Sequence, residues 1–181
     1  QIIFDSEDLF LNILYMTDKL ATYGFGFQVK VLSAMFTDRI FLQQIADIIQ
    51  PDYFESDSNS WLLEVILEHF RQYKAPPSKD VLKVKVTEID NDILKTSILE
   101  QLKEVFRFME SDDLTFVKDE ILKFCKNQEI KRAIMDSVGL LKMGNYDEIK
   151  SRIDYDLAVI GIGCAKHSFN NTDGIKLDYV D

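Results

Sequence analysis

Residues 27–54 read FQVKVLSAMFTDRIFLQQIADIIQPDYF, and the spacing of their apolar side chains leaves the backbone few options. Val31, Leu32, Met35 and Phe36 recur at three and four residues, the interval that lines one face of an α-helix. Asp38 can cap a second start, after which Phe41, Leu42, Ile45, Ile48 and Ile49 supply another apolar face. Pro51 ends that second helix, because the residue before a proline is pushed out of helical geometry. Two short amphipathic helices and a stop therefore fit into 28 residues.

The rest of the chain repeats this grammar. Three prolines and seven glycines in 181 residues, with 46% hydrophobic and 29% charged residues, leave little material for turn-rich β structure and favour an all-α protein able to bury a core without metal or disulfide staples. Residues 5–22 read as a leading helix with Leu9, Phe10, Ile13, Leu14, Leu20 and Ala21 on one face, broken by Tyr23-Gly24-Phe25-Gly26, so residues 1–26 form an arm and hinge. A polar loop over 55–59 precedes a helix from Ser60 that carries Trp61, Leu62, Val65, Ile66, Phe70 and Tyr73, and Ala75-Pro76-Pro77 stops it. Residues 81–86, VLKVKV, alternate at period two and so admit a strand as well as the helix expected there. A further helix spans 90–110, with Leu94, Ile98, Leu102, Val105, Phe106 and Met109 inward. Residues 27–110 thus make a small helical globule.

From residue 111 the periodicity runs on through Phe116, Val117, Ile121, Phe124, Cys125, Ile130, Ile134, Val138 and Leu141 to Met143. Gly144-Asn145 turns the chain, Asn145 and Glu148 have capping-box spacing, and Tyr146, Ile149, Ile153 and Leu157 begin the return. Residues 111–160 are a long helical hairpin, and 161–181 lose periodicity and read as a linker or tail. An isolated hairpin buries one side of each helix, so Phe116, Phe124, Ile130, Ile134, Val138 and Leu141 exceed what one partner helix covers and mark a self-association surface.

Chemistry is harder to find. No G-x-x-x-x-G-K-[ST] string occurs, Gly161-Ile162-Gly163 has Lys166 in place of a third glycine, and neither His69 nor His167 has neighbours at zinc-ligand spacing. Catalytic residues, metal ligands and cofactors are therefore expected to be absent from this segment. Cys125 sits on an apolar face and Cys164 between glycine-rich turns; both read as free thiols, and with no signal peptide they suit a reducing cytoplasm. No apolar run reaches the roughly 20 residues of a bilayer span. The formal charge of −10, from 31 acidic and 21 basic residues, opposes tight contact with a phosphate backbone.

One ordered set of residues goes further. Phe27-Gln28 with Val31-Leu32, Asp38 with Phe41, Ile48 with Asp52-Tyr53-Phe54, the helix of Trp61 and Tyr73, and Pro77-Ser78 together resemble the N-terminal domain of DnaB-like replicative helicases, especially their phage branch. Phe116-Val117 with Asp119, the run Phe124-Cys125-Lys126-Asn127-Gln128, Lys131 with Ala133-Ile134, Leu140-Leu141 with Gly144, and Tyr146-Asp147-Glu148-Ile149 are similar to that domain's hairpin. Gly174 with Leu177-Asp178-Tyr179 resembles the start of the linker to the ATPase domain. The resemblance covers residues 27–181 and leaves 1–22 unplaced.

The resemblance implies a non-catalytic collar. Copies would associate through their hairpins, as a dimer or higher and as a hexameric ring in the parent. That parent would unwind duplex DNA with ATP and Mg, and would alone contact DNA. The globule would receive a primase or a helicase loader, and the loop carrying Tyr53, Phe54, Glu55 and Asp57 beside Trp61 is the expected docking site, since aromatics beside charge are common at interfaces. For Tyr53 and Phe54 themselves the stronger reading is the bland one, that they simply pack under that loop as core residues. A stand-alone helical adaptor or regulator of phage or bacterial origin is the alternative.

Overall fold

Every residue from Gln28 to Met35 except Lys30 is buried, and a helix buried that continuously must have neighbours on all sides. The computed structural model describes residues 20–161. Its helices are α1 (Phe25–Thr37), α2 (Arg39–Ile45), α3 (Asp57–Tyr73), α4 (Lys79–Thr87), α5 (Asp92–Arg107), α6 (Leu114–Lys142) and α7 (Tyr146–Gly161), with 3-10 turns at Leu20–Tyr23, Pro51–Tyr53 and Phe108–Glu110. No strand forms among the described residues, and the protein is all-α. α2, α3, α5 and α6 all pack on α1. Ser33 seals one of these contacts: its hydroxyl donates to the Val105 carbonyl at 2.7 Å, one of the acceptors left without an intrahelical partner at the end of α5.

The element boundaries depart from the periodicity in four places. Only Gly24, at φ 79°, is a break; Gly26 lies in the first turn of α1, so the hinge is one residue wide. α2 ends at Ile45, well before Pro51, because the Ile48 and Ile49 amides both bond the Ile45 carbonyl at 3.0 Å and turn both isoleucines into the core. Pro51 instead opens a 3-10 turn, where its missing N–H leaves nothing unpaired. α3 starts at Asp57 rather than Ser60: the Ser56 hydroxyl caps the Asn59 amide at 3.2 Å, and the Asp57 carboxylate favours the positive end of the helix dipole. Residues 81–86 are helical, since Leu82 and Val86, four apart, bury together while Val84 faces out. Most of the leading helix expected over 5–22 lies outside the described residues; 20–23 form a 3-10 turn.

α6 belongs to the globule for half its length. Leu114, Val117, Ile121, Phe124 and Cys125 share one hydrophobic core with α1, α3 and α5, so no gap in the core marks the passage from residue 110 to 111. Two ion pairs fasten the crossing of α6 over α1: Lys30 to Asp113, and Lys118 Nζ to Asp38 Oδ2 at 2.8 Å. Beyond the globule, Gly144 at φ 71° reverses the chain, with the Asn145 amide on the Leu140 carbonyl at 3.2 Å and the Gly144 amide on the Leu141 carbonyl at 3.0 Å. Asn145 and Glu148 pair through their side chains. α7 then packs back along α6, with Arg152 donating to Asp136 at 2.8 Å.

The Asp38 pair carries a pH signature. The Lys118 ammonium, then the Phe41 amide, hold the Asp38 carboxyl below the ordinary aspartate range, which centres near about 3.9. A carboxylate whose folded pKa is depressed adds stability above its unfolded pKa and loses it as pH falls through the folded value. Urea midpoints should therefore drop below about pH 4, and the drop should be shallower for Lys118→Met, whose Asp38 titrates closer to its ordinary value. Parallel curves for the two proteins would show that the pair does not couple folding to protons.

Candidate functional site

The six hairpin residues expected at a self-association surface separate into two groups. At about 100° per residue, Phe116, Ile130, Ile134 and Leu141 fall within roughly 40° of one another on α6. They form a stripe on the side turned away from the globule, exposed by 62, 40, 43 and 56%. Val138 lies half-buried at its edge. Phe124 lies about 80° round the helix from Ile134 and points inward: it is 5% exposed and meets the Tyr53 ring edge-on at a centroid distance of 5.2 Å. Its burial is satisfied within a single chain. Met143 and Tyr146, exposed on either side of the Gly144 turn, continue the apolar surface at the tip. Periodicity placed Met143 at the end of the first arm and Tyr146 at the start of the second, but neither was expected at the self-association surface. Of the residues expected to form the return with Tyr146, Ile153 and Leu157 lie outside the described side chains.

The expected docking loop is more ordered than its composition suggests. Tyr53 and Phe54 are core residues. The Tyr53 hydroxyl accepts from Arg132 Nη2 at 3.0 Å, while Arg132 Nη1 donates to Glu129 at 2.8 Å, so the phenol ties the globule to the root of the hairpin. Burial pushes the Tyr53 phenol up, and the Arg132 charge opposes that only in part. Glu55 is exposed yet held: Gln28 Nε2 donates to its carboxylate at 2.7 Å, and the Glu55 amide donates to Gln28 Oε1 at 3.1 Å. Gln28 entered the sequence reading only within a resemblance, and its clamp role was missed because a glutamine on an apolar face carries no pattern of its own. What the loop offers outward is Glu55, Asp57 and the half-buried Trp61, which packs against the core.

Reactive chemistry is sparse. Burial raises the Cys125 thiol well above its ordinary range, which keeps it protonated and unreactive. Cys164 and His167 lie outside the described residues. His69 is engaged with the Ala75 carbonyl through Nδ1 at 2.8 Å. Among the described residues no group of three His, Cys, Asp or Glu side chains could hold a metal ion, and no helix is long and apolar enough to cross a membrane. A shallow cleft of about 330 Å³ lies between the turn at Leu20–Tyr23 and α6. Comparisons with models of protein families, with curated proteins and with solved structures find no match.

Proposed function

We propose that this chain is a non-catalytic assembly domain, of the kind that forms the collar of a DnaB-like replicative helicase, in which α6 and α7 join copies and the globule receives a primase or loader. The outward stripe of Phe116, Ile130, Ile134 and Leu141 carries this reading. It sits on the part of α6 that the globule leaves uncovered, and each large side chain buried there contributes roughly 1.5–3 kcal/mol of transfer free energy before the entropy of association is subtracted. The sequence resemblance adds the helicase context, and ATP, Mg and DNA belong in this reading to the parent. On the globule, Asp57 and Trp61 are the residues proposed to meet the partner. Glu55→Lys is a poor probe of that contact, since it would also break the Gln28 clamp; Asp57→Lys leaves it intact.

Side-chain oxidation by hydroxyl radicals, read by mass spectrometry as protein concentration rises, tests the assembly surface. Phe116, Ile130, Ile134 and Leu141 should become protected together while Ile93, 84% exposed on α5, continues to react. Protection of Ile93 with no change in the stripe would place the contact on the globule instead.

A further inference from the structure

Ile134 and Leu141 stand seven residues apart on the outward stripe of α6, with Ser137 and Val138 midway between them. A two-fold axis crossing α6 at that midpoint would lay Ile134 of one copy on Leu141 of another, and the reverse, in a single isologous contact. The midpoint can be covered at little cost, because the Ser137 hydroxyl already donates to the Ala133 carbonyl at 2.7 Å. The same axis sets Ile130 of each copy, about 11 Å along the helix from the midpoint, opposite the hairpin tip of the other. At that tip Met143 and Tyr146 are 80 and 69% exposed.

Ile130 also lines a cleft of about 330 Å³ beside α6, together with Thr22, Tyr23, Phe124 and Asn127. Tyr23 stacks on Phe27 at a centroid distance of 4.6 Å and meets Phe124 edge-on at 6.1 Å, so the cleft has an aromatic wall. Its volume is at the small end of ligand sites, which span roughly 300–1,000 Å³, and suits one aromatic side chain. Charge agrees with this layout. Lys126, within about 40° of Ile130 around the helix, and Asp147, next to Tyr146, form no ion pair among the described residues. Antiparallel copies bring these two side chains together across the contact. Parallel copies would set Lys126 against Lys126 and hold each tip beside the other tip, away from the cleft.

We propose that two copies pair antiparallel along α6 about this axis, each seating its Tyr146 ring in the other's cleft and setting its Asp147 against the other's Lys126. A tyrosine suits the place, since its ring can be buried while its hydroxyl stays at the wet mouth. Phe116, about 21 Å beyond Ile130 along α6, lies past the other copy's tip and is left for the contact between pairs in a larger assembly. The pairing gives a register to the assembly role proposed above and rests on it.

Cysteine cross-linking of the full 181-residue chain tests the register. In a Cys164→Ser background, Asn127→Cys and Asp147→Cys are made as separate proteins, both positions being exposed in the single chain. Mixed and oxidised, they should give a disulfide-linked heterodimer, while neither forms a linked dimer alone. Linked dimers of each protein alone, with no heterodimer beyond them, mean parallel copies and overturn the proposal. No linked dimer in any sample overturns it as well: a native chain that still sediments as a dimer then keeps the assembly role and loses only the register, whereas a native monomer removes both. Tyr146→Ala should weaken self-association by about thirtyfold, the loss of an anchoring aromatic. Lys126→Glu should weaken it by about tenfold, and Asp147→Lys in the same chain should restore it. Equal association of the native, Tyr146→Ala and Lys126→Glu chains, with unchanged far-UV circular dichroism, gives the cleft to another occupant and overturns the pairing.

Discussion

Phe124→Ala is expected to lower folding stability by about 3–5 kcal/mol, the cost of removing a buried phenylalanine and leaving a cavity. Stability of a domain this size is of order 5–15 kcal/mol, so the variant should be close to unfolding in mild denaturant. The magnitude follows from position: the ring is buried and meets the Tyr53 and Tyr23 rings edge-on, contacts that alanine cannot replace. Phe116→Ala, only two turns earlier on the same helix, should change stability by less than about 0.5 kcal/mol because its ring is already solvated. Urea melts of both variants in an Ile134→Asp background keep assembly from adding to stability. Equal losses for the two phenylalanines would mean that α6 is rotated relative to the arrangement described.

Gln28→Leu should cost about 1.5–3 kcal/mol, the range for losing a hydrogen bond to a charged group together with a second bond to the backbone. Leucine matches the apolar surroundings of α1, so the loss isolates the clamp on Glu55 from any change in packing volume. Gln28→Glu should cost more at neutral pH than Gln28→Leu, since it sets a second carboxylate against Glu55 and removes the donor. Glu55→Gln keeps an acceptor and should be mild. A Gln28→Leu variant as stable as the parent protein would show that the clamp contributes specificity of loop placement without net stability.

The all-α class was legible because apolar spacing of three and four persists through most of the chain, and the cap at Asp38 fixed one helix start. Boundaries failed where a neighbour's demand outweighed local preference. Ile45 ends α2 because Ile48 and Ile49 both have core positions to fill, a fact held in the rest of the core and not in the local string. The division between self-association and core residues on α6 was only half legible. Spacing shows that Phe124 departs from the Phe116, Ile130, Ile134 and Leu141 stripe, but which face meets the globule depends on where Tyr53 and Tyr23 come to rest. Long-range polar contacts were invisible: Lys118 with Asp38 and Arg132 with Tyr53 are 80 and 79 residues apart.

Sedimentation equilibrium over a wide concentration range, comparing the native chain with Ile134→Asp, bears most directly on the assembly role of the hairpin. Ile134 is 43% exposed in a single chain, so aspartate there costs the fold little, and far-UV circular dichroism should be unchanged. At a buried partner surface the same carboxylate would be desolvated without a partner, a penalty of several kcal/mol that is enough to dissolve the contact. The native chain should sediment as a dimer or larger species, and Ile134→Asp as a monomer at every concentration. A native chain that sediments as a monomer throughout, or an Ile134→Asp variant that assembles as the native chain does, would contradict it.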